Sequence, residues 1–361
     1  MQIGIVGLPF SGKSTLFQTI TRTHLDQAAL AKAEAHHAMV RVPDRRLDRL
    51  NSLFNPRSSV YAALEFVDVV GLKKGETGST QFTTNFLASV KNNDALVQVV
   101  RTFAEAAVPH PEGSVDPLRD VATFETEFLL ADMAILESRV DRVKKQIGKH
   151  HDDVLKRELP VLEKCRQVLE RERPLREEEW TKDELQLLRS YQLLTLKPML
   201  IALNGDEGQL TEMPALVQKV AAAKAGRHTH VLSFFGRVEQ EMSELDDADA
   251  VAFMQEYGIT ESALTALIRE SYTLLGLRSF FTVGEDECRA WTIRAGMTAQ
   301  DAAGVIHTDF FNKFIRAEAV QFDDFVLHEG SFAKAKEAGH WRLEGKEYEV
   351  KDGDILSIRH N

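Results

Sequence analysis

Gly7-Leu-Pro-Phe-Ser-Gly12-Lys13-Ser14 fits G-x-x-x-x-G-K-[ST] at every constrained position. Chemistry on a phosphate chain needs that spacing. Gly7 and Gly12 let the backbone wrap an anion, and the N–H groups of Phe10, Ser11, Gly12, Lys13, Ser14 and Thr15 then point inward. A helix starting near Lys13 adds the positive end of its dipole. Lys13 is expected to span the β- and γ-phosphates, and the Ser14 hydroxyl to ligate Mg²⁺. Farther along, Asp68-Val-Val-Gly71 offers a carboxylate that can hold the same ion through water and a backbone N–H at Gly71 that can sense the γ-phosphate. Asn204-Gly205-Asp-Glu207 supplies an amide suited either to holding a base or to bracing the phosphate loop. Lys13, Asp68 and Gly71 are the candidate catalytic groups, and Ser14 and Asp68 the candidate metal ligands.

These residues do chemistry together only if one rim collects them. Ile3–Val6, Leu64–Val70, Ala95–Val100, Met199–Leu203 and Val231–Phe235 are apolar runs rich in β-branched residues, as buried parallel strands are. The phosphate loop, Asp68 and Asn204 all fall at or near the carboxyl ends of such runs, where open α/β sheets bind ligands. Gly71, Gly75 and Gly78 make the loop after Asp68 pliable, as a segment reporting hydrolysis must be. Arg22–Ala62 is polar and charged and should contain a first switch segment.

The pattern changes between the third and fourth strands. Phe124, Phe128, Ala131, Ile135, Val140, Val143 and Ile147 recur at helical steps, and Leu155, Leu159, Leu162 and Leu169 continue the stripe after His150–Asp153. Two antiparallel helices packed through that stripe are expected, then a short helix over Leu185–Leu194 before Pro198 restores the sheet pattern. Glu239–Leu277 reads as helical. After Gly276, strands over Phe280–Val283, Ala290–Ile293 and Ile315–Val320, a helix between Thr298 and Phe310, and a turn at Asp352-Gly353-Asp354 between two strands describe a small mixed module.

The chain has 361 residues and a formal charge of −11, which excludes binding nucleic acid by bulk electrostatics. The deficit is uneven, since the helical block is near charge balance, so any contact with RNA must be local. Cys165 and Cys288 are the two cysteines and support neither a disulfide framework nor a cysteine zinc site. The opening MQIGIVG lacks a charged leader, and no run reaches 18 apolar residues, so a cytoplasmic protein without a membrane span is expected. His36-His37, His150-His151 and His228/His230 read as solvated histidines, and Trp291 and Trp341 as core aromatics.

GLPFSGKSTLF, VPDRRLDRL (42–50), EFVDVVGLKKG (65–75), NFLASVKNNDALVQVVR (85–101), SYQLLTLKPMLIALNGDE (190–207) and, near the C-terminus, ELDD (244–247), RAWTIRAGMTAQDAAGVIHTDFFNKFIRAE (289–318) and KEAGHWRLEGKEYEVKDGDIL (336–356) resemble the Obg-like P-loop ATPases of the YchF type, within the translation-factor-related GTPases. The resemblance covers essentially the whole chain. It implies an α/β fold: a P-loop NTPase (OBG-type G) domain with a mostly parallel sheet over 1–120 and 198–277, an inserted helical coiled-coil arm over 121–197, and a C-terminal β-grasp (TGS) domain over 278–361. It also implies a ribosomal or other translation partner reached through the arm and the TGS domain, with no sequence-specific DNA binding. The family is similar in reading N-x-x-E where relatives read N-K-x-D. Here that element is Asn204 through Glu207, so ATP is the implied substrate, with GTP the alternative.

Three segments depart from catalytic patterns. Leu72 stands where many relatives of this class place a catalytic glutamine, as the family itself implies, so slow hydrolysis is expected. The family loop reads N-V-G-K-S, whereas this chain has Phe10-Ser-Gly-Lys-Ser. Its switch reads T-[IV]-[DE]-P-N, and counting back from Val42-Pro43-Asp44 puts Lys32 at the threonine and His36 at the asparagine. The expected function is ATP hydrolysis by a regulatory NTPase. The rivals are a GTPase and a nucleotide-gated adaptor with little turnover.

Overall fold

The computed structural model describes residues 1–22, 35–69, 72–74, 80–147, 153–245, 249–250, 252, 254 and 261–361. Contacts divide the chain into two units, Met1–Ala38 with Glu65–Leu274, and Met39–Leu64 with Leu275–Asn361.

The apolar runs near the N-terminus and in mid-chain are strands Gln2–Gly7, Ala63–Asp68, Ala95–Arg101, Met199–Asn204 and Thr229–Phe234. Together with the edge strand His36–Arg41 they form a six-stranded sheet. Gln2–Gly7 pairs in parallel with both Ala63–Asp68 and Ala95–Arg101, and Met199–Asn204 lies in parallel between Ala95–Arg101 and Thr229–Phe234. Numbering these five strands by sequence, the spatial order is 2-1-3-4-5. The chain leaves the first strand where the order reverses, a crevice that needs no side chains to open it. Both faces are covered, so Met199–Asn204 is buried at every position.

The expected stripe divides its work. One helix, Pro117–Ile147, carries it through 31 residues. Val121, Phe124 and Phe128 pack in the sheet core beside Phe86 and Leu194. Leu136, Val140 and Val143 instead meet Val161, Leu162, Cys165 and Leu169 of the second helix, Asp153–Glu170. Phe124 and Phe128 therefore root the helix in the sheet, a correction to their place in the helix-to-helix seam. Buried Asp132 ties the returning chain to the same helix by accepting from Leu194 N at 2.9 Å, Thr195 N at 2.7 Å and Thr195 Oγ1 at 2.7 Å. The short helix expected over Leu185–Leu194 spans Lys182–Leu188, with Thr181 and Glu184 forming its capping box.

In the second unit the sheet order is Arg342–Glu344, Phe314–Gln321, Asp354–His360, Leu277–Thr282, Glu287–Arg294, Ser58–Val60. Helix Ala299–Ile306 packs Ala299, Ala302 and Ala303 against Phe280, Ile293 and Leu356. Two features differ from the sequence reading. Residues 39–64 cluster with this module because Ser58–Val60 pairs in parallel with Glu287–Arg294, a long-range pairing that local patterning cannot announce. The run before Asp352 makes a single bridge, Thr298 to Glu349, in place of a strand. Cys165 and Cys288 are both buried and free. Trp291 is half-buried but packs against the core as expected, stacked on Phe280 with Arg289 over its ring, whereas Trp341 is half-buried with Lys336 over its ring.

Candidate nucleotide site

The strand Gln2–Gly7 delivers the chain to a loop with no room for two of its missing side chains. A Cβ on Gly7 would lie 2.5 Å from the Val99 carbonyl oxygen. One on Gly12, whose φ is +98°, would overlap the Asn204 amide. The helix Lys13–Thr21 begins at Gly12 with no side-chain cap and no acidic residue in its first turn. Its leading N–H groups are left for an anion. Thr15 contributes to this first turn and accepts from Thr19 Oγ1 through its carbonyl oxygen at 2.8 Å. Phe10 holds a φ of +64° and is 64% exposed at the loop's outer side.

Lys13 Nζ donates to the Leu8 carbonyl oxygen at 3.0 Å, folding the side chain back over the loop. Burial lowers its pKa to about 8 against the opposing pull of Asp68. The Ser14 hydroxyl donates to Asp68 Oδ2 at 3.2 Å. Asp68 is buried at the end of its strand, and burial raises its pKa, only partly offset by Lys13, the Ser14 hydrogen bond and His36. With the Ser14 hydroxyl, this carboxylate offers hard oxygens of the kind a small divalent cation takes.

Asn204 ends the strand Met199–Asn204, and both ends of its amide are engaged by the protein. Nδ2 donates to the Ser11 carbonyl oxygen at 2.9 Å, and Oδ1 accepts from Gly236 N at 3.1 Å. Of the two roles open in the sequence, the geometry is that of a brace. Ser11 is buried, and its Oγ has no partner among the described residues. Gly205 is required by packing, since a Cβ there would lie 3.0 Å from the Phe235 ring and overlap Met213. Glu207 is exposed in the turn Glu207–Gln209, and its carboxylate makes no hydrogen bond among the described residues. Leu72 is buried in the sheet core with Val6, Val69 and Phe86. Gly71, Gly75, Gly78, Lys32 and His150-His151 lie outside the described residues.

Two participants had no clear signal in the sequence. Gly236 starts the helix Gly236–Glu244, and its N–H completes the Asn204 brace. A glycine opening a helix just after the last strand was the available clue. The histidine pair is not uniformly solvated as expected: His37 Nδ1 meets Glu65 Oε1 at 2.8 Å, while His36 Nε2 is shut off from solvent. His230 likewise pairs with Glu270 at 3.1 Å.

A family model described as a 50S ribosome-binding GTPase matches residues 2–205. A YchF C-terminal model, described as a protein of unknown function, matches residues 277–361. The Ribosome-binding ATPase YchF of Bacillus subtilis is 41% identical over 362 residues, covering 99% of this chain and 98% of that one. This chain belongs to the YchF family. Obg-like ATPase 1 of Rattus norvegicus is 34% identical over 368 residues, covering all of this chain and 92% of that protein. The solved YchF GTPase of Schizosaccharomyces pombe superposes with a TM-score of 0.87 at 33% identity, over 99% of this chain and 97% of that one. The YchF architecture, a P-loop NTPase fold followed by the family's C-terminal module, is therefore that of this chain, and a nucleotide is its substrate class. Among the described residues no helix is long and apolar enough to cross a membrane.

Proposed function

We propose that this chain is a slow, Mg²⁺-dependent ATPase that hydrolyses ATP to ADP and phosphate, and that it works on the ribosome in the cytoplasm. One observation carries the catalytic part: Lys13, Ser14 and Asp68 converge beside an uncapped helix N-terminus, at the end of a loop whose glycines admit no side chain. The choice of adenine is supported by the relatives named ATPases and by the Asn204–Glu207 element. The ribosomal partner is supported by the relatives' names; the arm and the C-terminal module are the surfaces assigned to it.

In this reading the N–H groups from Phe10 to Thr15 bind the β- and γ-phosphates. Lys13, still an ammonium at neutral pH, bridges them and stabilises the charge that develops as the γ-phosphoryl group leaves. Ser14 and Asp68 would hold Mg²⁺, which when bound neutralises phosphate oxygens. Asn204 keeps the loop in its anion-binding shape. Gly71 is assigned the γ-phosphate contact. Leu72 packs into the core and has neither donor nor acceptor, so it cannot orient the attacking water, and unaided turnover is slow.

A nucleotide-gated adaptor with little turnover is the second reading, favoured by Leu72. Titration with ATP and GTP analogues, followed by phosphate release with and without Mg²⁺ and ribosomes, separates them. Tighter GTP than ATP binding overturns the adenine assignment. Tight ATP binding with no release, even with ribosomes present, decides for the adaptor.

A further inference from the structure

His36 opens the edge strand His36–Arg41, which neighbours Ala63–Asp68 in the sheet. Alternation along the strand separates the two histidines: His37 is exposed and meets Glu65, whereas His36 is turned toward the phosphate-loop helix. Its ring lies 6.4 Å from that of Phe17, the planes inclined at 41°. Its Nε2 has no access to solvent and no hydrogen-bond partner among the described residues. A buried ring nitrogen left unpaired is costly, and such a group calls for an explanation.

Asp68 supplies the complementary need. Its carboxylate has two oxygens able to accept several hydrogen bonds. Ser14 Oγ reaches Oδ2, and no donor reaches Oδ1 among the described residues. The two strands run antiparallel, with Val42 N just after the first donating to the Ala62 carbonyl oxygen just before the second at 2.7 Å, so the start of His36–Arg41 lies beside the end of Ala63–Asp68. A carboxylate that must hold a divalent ion needs its free oxygen oriented, and groups behind a metal ligand commonly do this.

We propose that His36 is a positioning residue for the divalent ion: its Nε2–H engages the free Asp68 oxygen, directly or through one water, when nucleotide and metal are bound. The proposal rests on the nucleotide and metal site described under the proposed function. It gives this chain a support for the metal on the edge strand, at the position where the family's switch pattern has asparagine.

The test uses the full-length protein, a non-hydrolysable ATP analogue, and Mn²⁺ followed by electron paramagnetic resonance as the metal probe. His36→Ala should leave analogue affinity in EDTA within about twofold and weaken Mn²⁺ binding to the protein–analogue complex about tenfold or more. His36→Gln, which keeps a donor on a side chain of similar reach, should recover most of that loss. Unchanged Mn²⁺ affinity in His36→Ala, with the parent binding analogue and metal normally, overturns the role of His36 alone. A parent that binds no analogue overturns the nucleotide site and this proposal together. Equal losses in EDTA and in Mn²⁺, unrelieved in His36→Gln and matched by a lower unfolding midpoint, would reduce His36 to packing against Phe17 and also overturn it.

Discussion

Replacing Asn204 tests whether its amide braces the loop or reads the base. Asn204→Ala strips the Ser11 carbonyl of its 2.9 Å donor and Gly236 N of its 3.1 Å acceptor. Each buried group left unpaired costs about 1–3 kcal/mol, so about 2–6 kcal/mol of stability should be lost. Asn204→Asp keeps an acceptor for Gly236 but turns a buried carboxylate oxygen toward the Ser11 carbonyl, and should cost at least as much in stability. If binding must re-form even one such contact unaided, affinity falls about tenfold per 1.4 kcal/mol. The loss should be equal for ATP and GTP analogues, because the amide is spent on the backbone. Urea unfolding and calorimetric titration with both analogues measure the two effects. A loss confined to one base, or an unfolding midpoint equal to the parent's, refutes the brace.

Lys13→Ala should weaken triphosphate binding at least about a hundredfold, the scale of losing charge-assisted hydrogen bonds worth about 3 kcal/mol, as read by calorimetry. Because burial lowers the pKa of Lys13 to about 8 and phosphate favours the ammonium, parent affinity should fall as pH rises through 8. In the empty protein the sign reverses for stability. The unfolded chain binds more protons between pH 8 and the ordinary lysine value of 10.5, so this group's contribution to stability rises over that window, and Lys13→Ala should flatten that part of the melting profile. Gly12→Ala forces a side chain at φ +98° into the Asn204 amide and should abolish analogue binding while lowering the unfolding midpoint. Asp132→Ala leaves Leu194 N and Thr195 N without their acceptor and should cost about 2–5 kcal/mol in urea unfolding, with Asp132→Asn also destabilising because an amide offers one acceptor oxygen in place of two.

Much of the nucleotide-binding unit was legible because its signals are local. A parallel strand buried on both faces must be apolar along its length, so Ile3–Val6, Ala95–Val100 and Met199–Leu203 fall inside observed strands. The glycines at 7 and 12 are readable because a loop wrapping an anion has no space for Cβ. The edge strand His36–Arg41 was hidden, since only Val40 is fully buried and its apolar residues neither alternate nor form a long run. Ser58–Val60 was hidden for a different reason: its partner is more than two hundred residues away. Helical periodicity gave the arm's helix, but not which turns face the sheet and which face the neighbouring helix.

By itself the sequence determined the chemistry available: a phosphate-wrapping loop, a lysine and serine beside it, and a carboxylate and an amide at later strand ends. Those properties reside in residue types and short spacings. The tertiary structure decided how each group is occupied. It spent Asn204 on Ser11 and Gly236, packed Leu72 into the core, lowered the pKa of Lys13 by burial, and enclosed a histidine nitrogen at His36 that has no partner among the described residues. Hydrogen-bond partners and desolvation come from chain segments up to two hundred residues apart. No local pattern encodes them, and they separate a residue that can act from one already engaged.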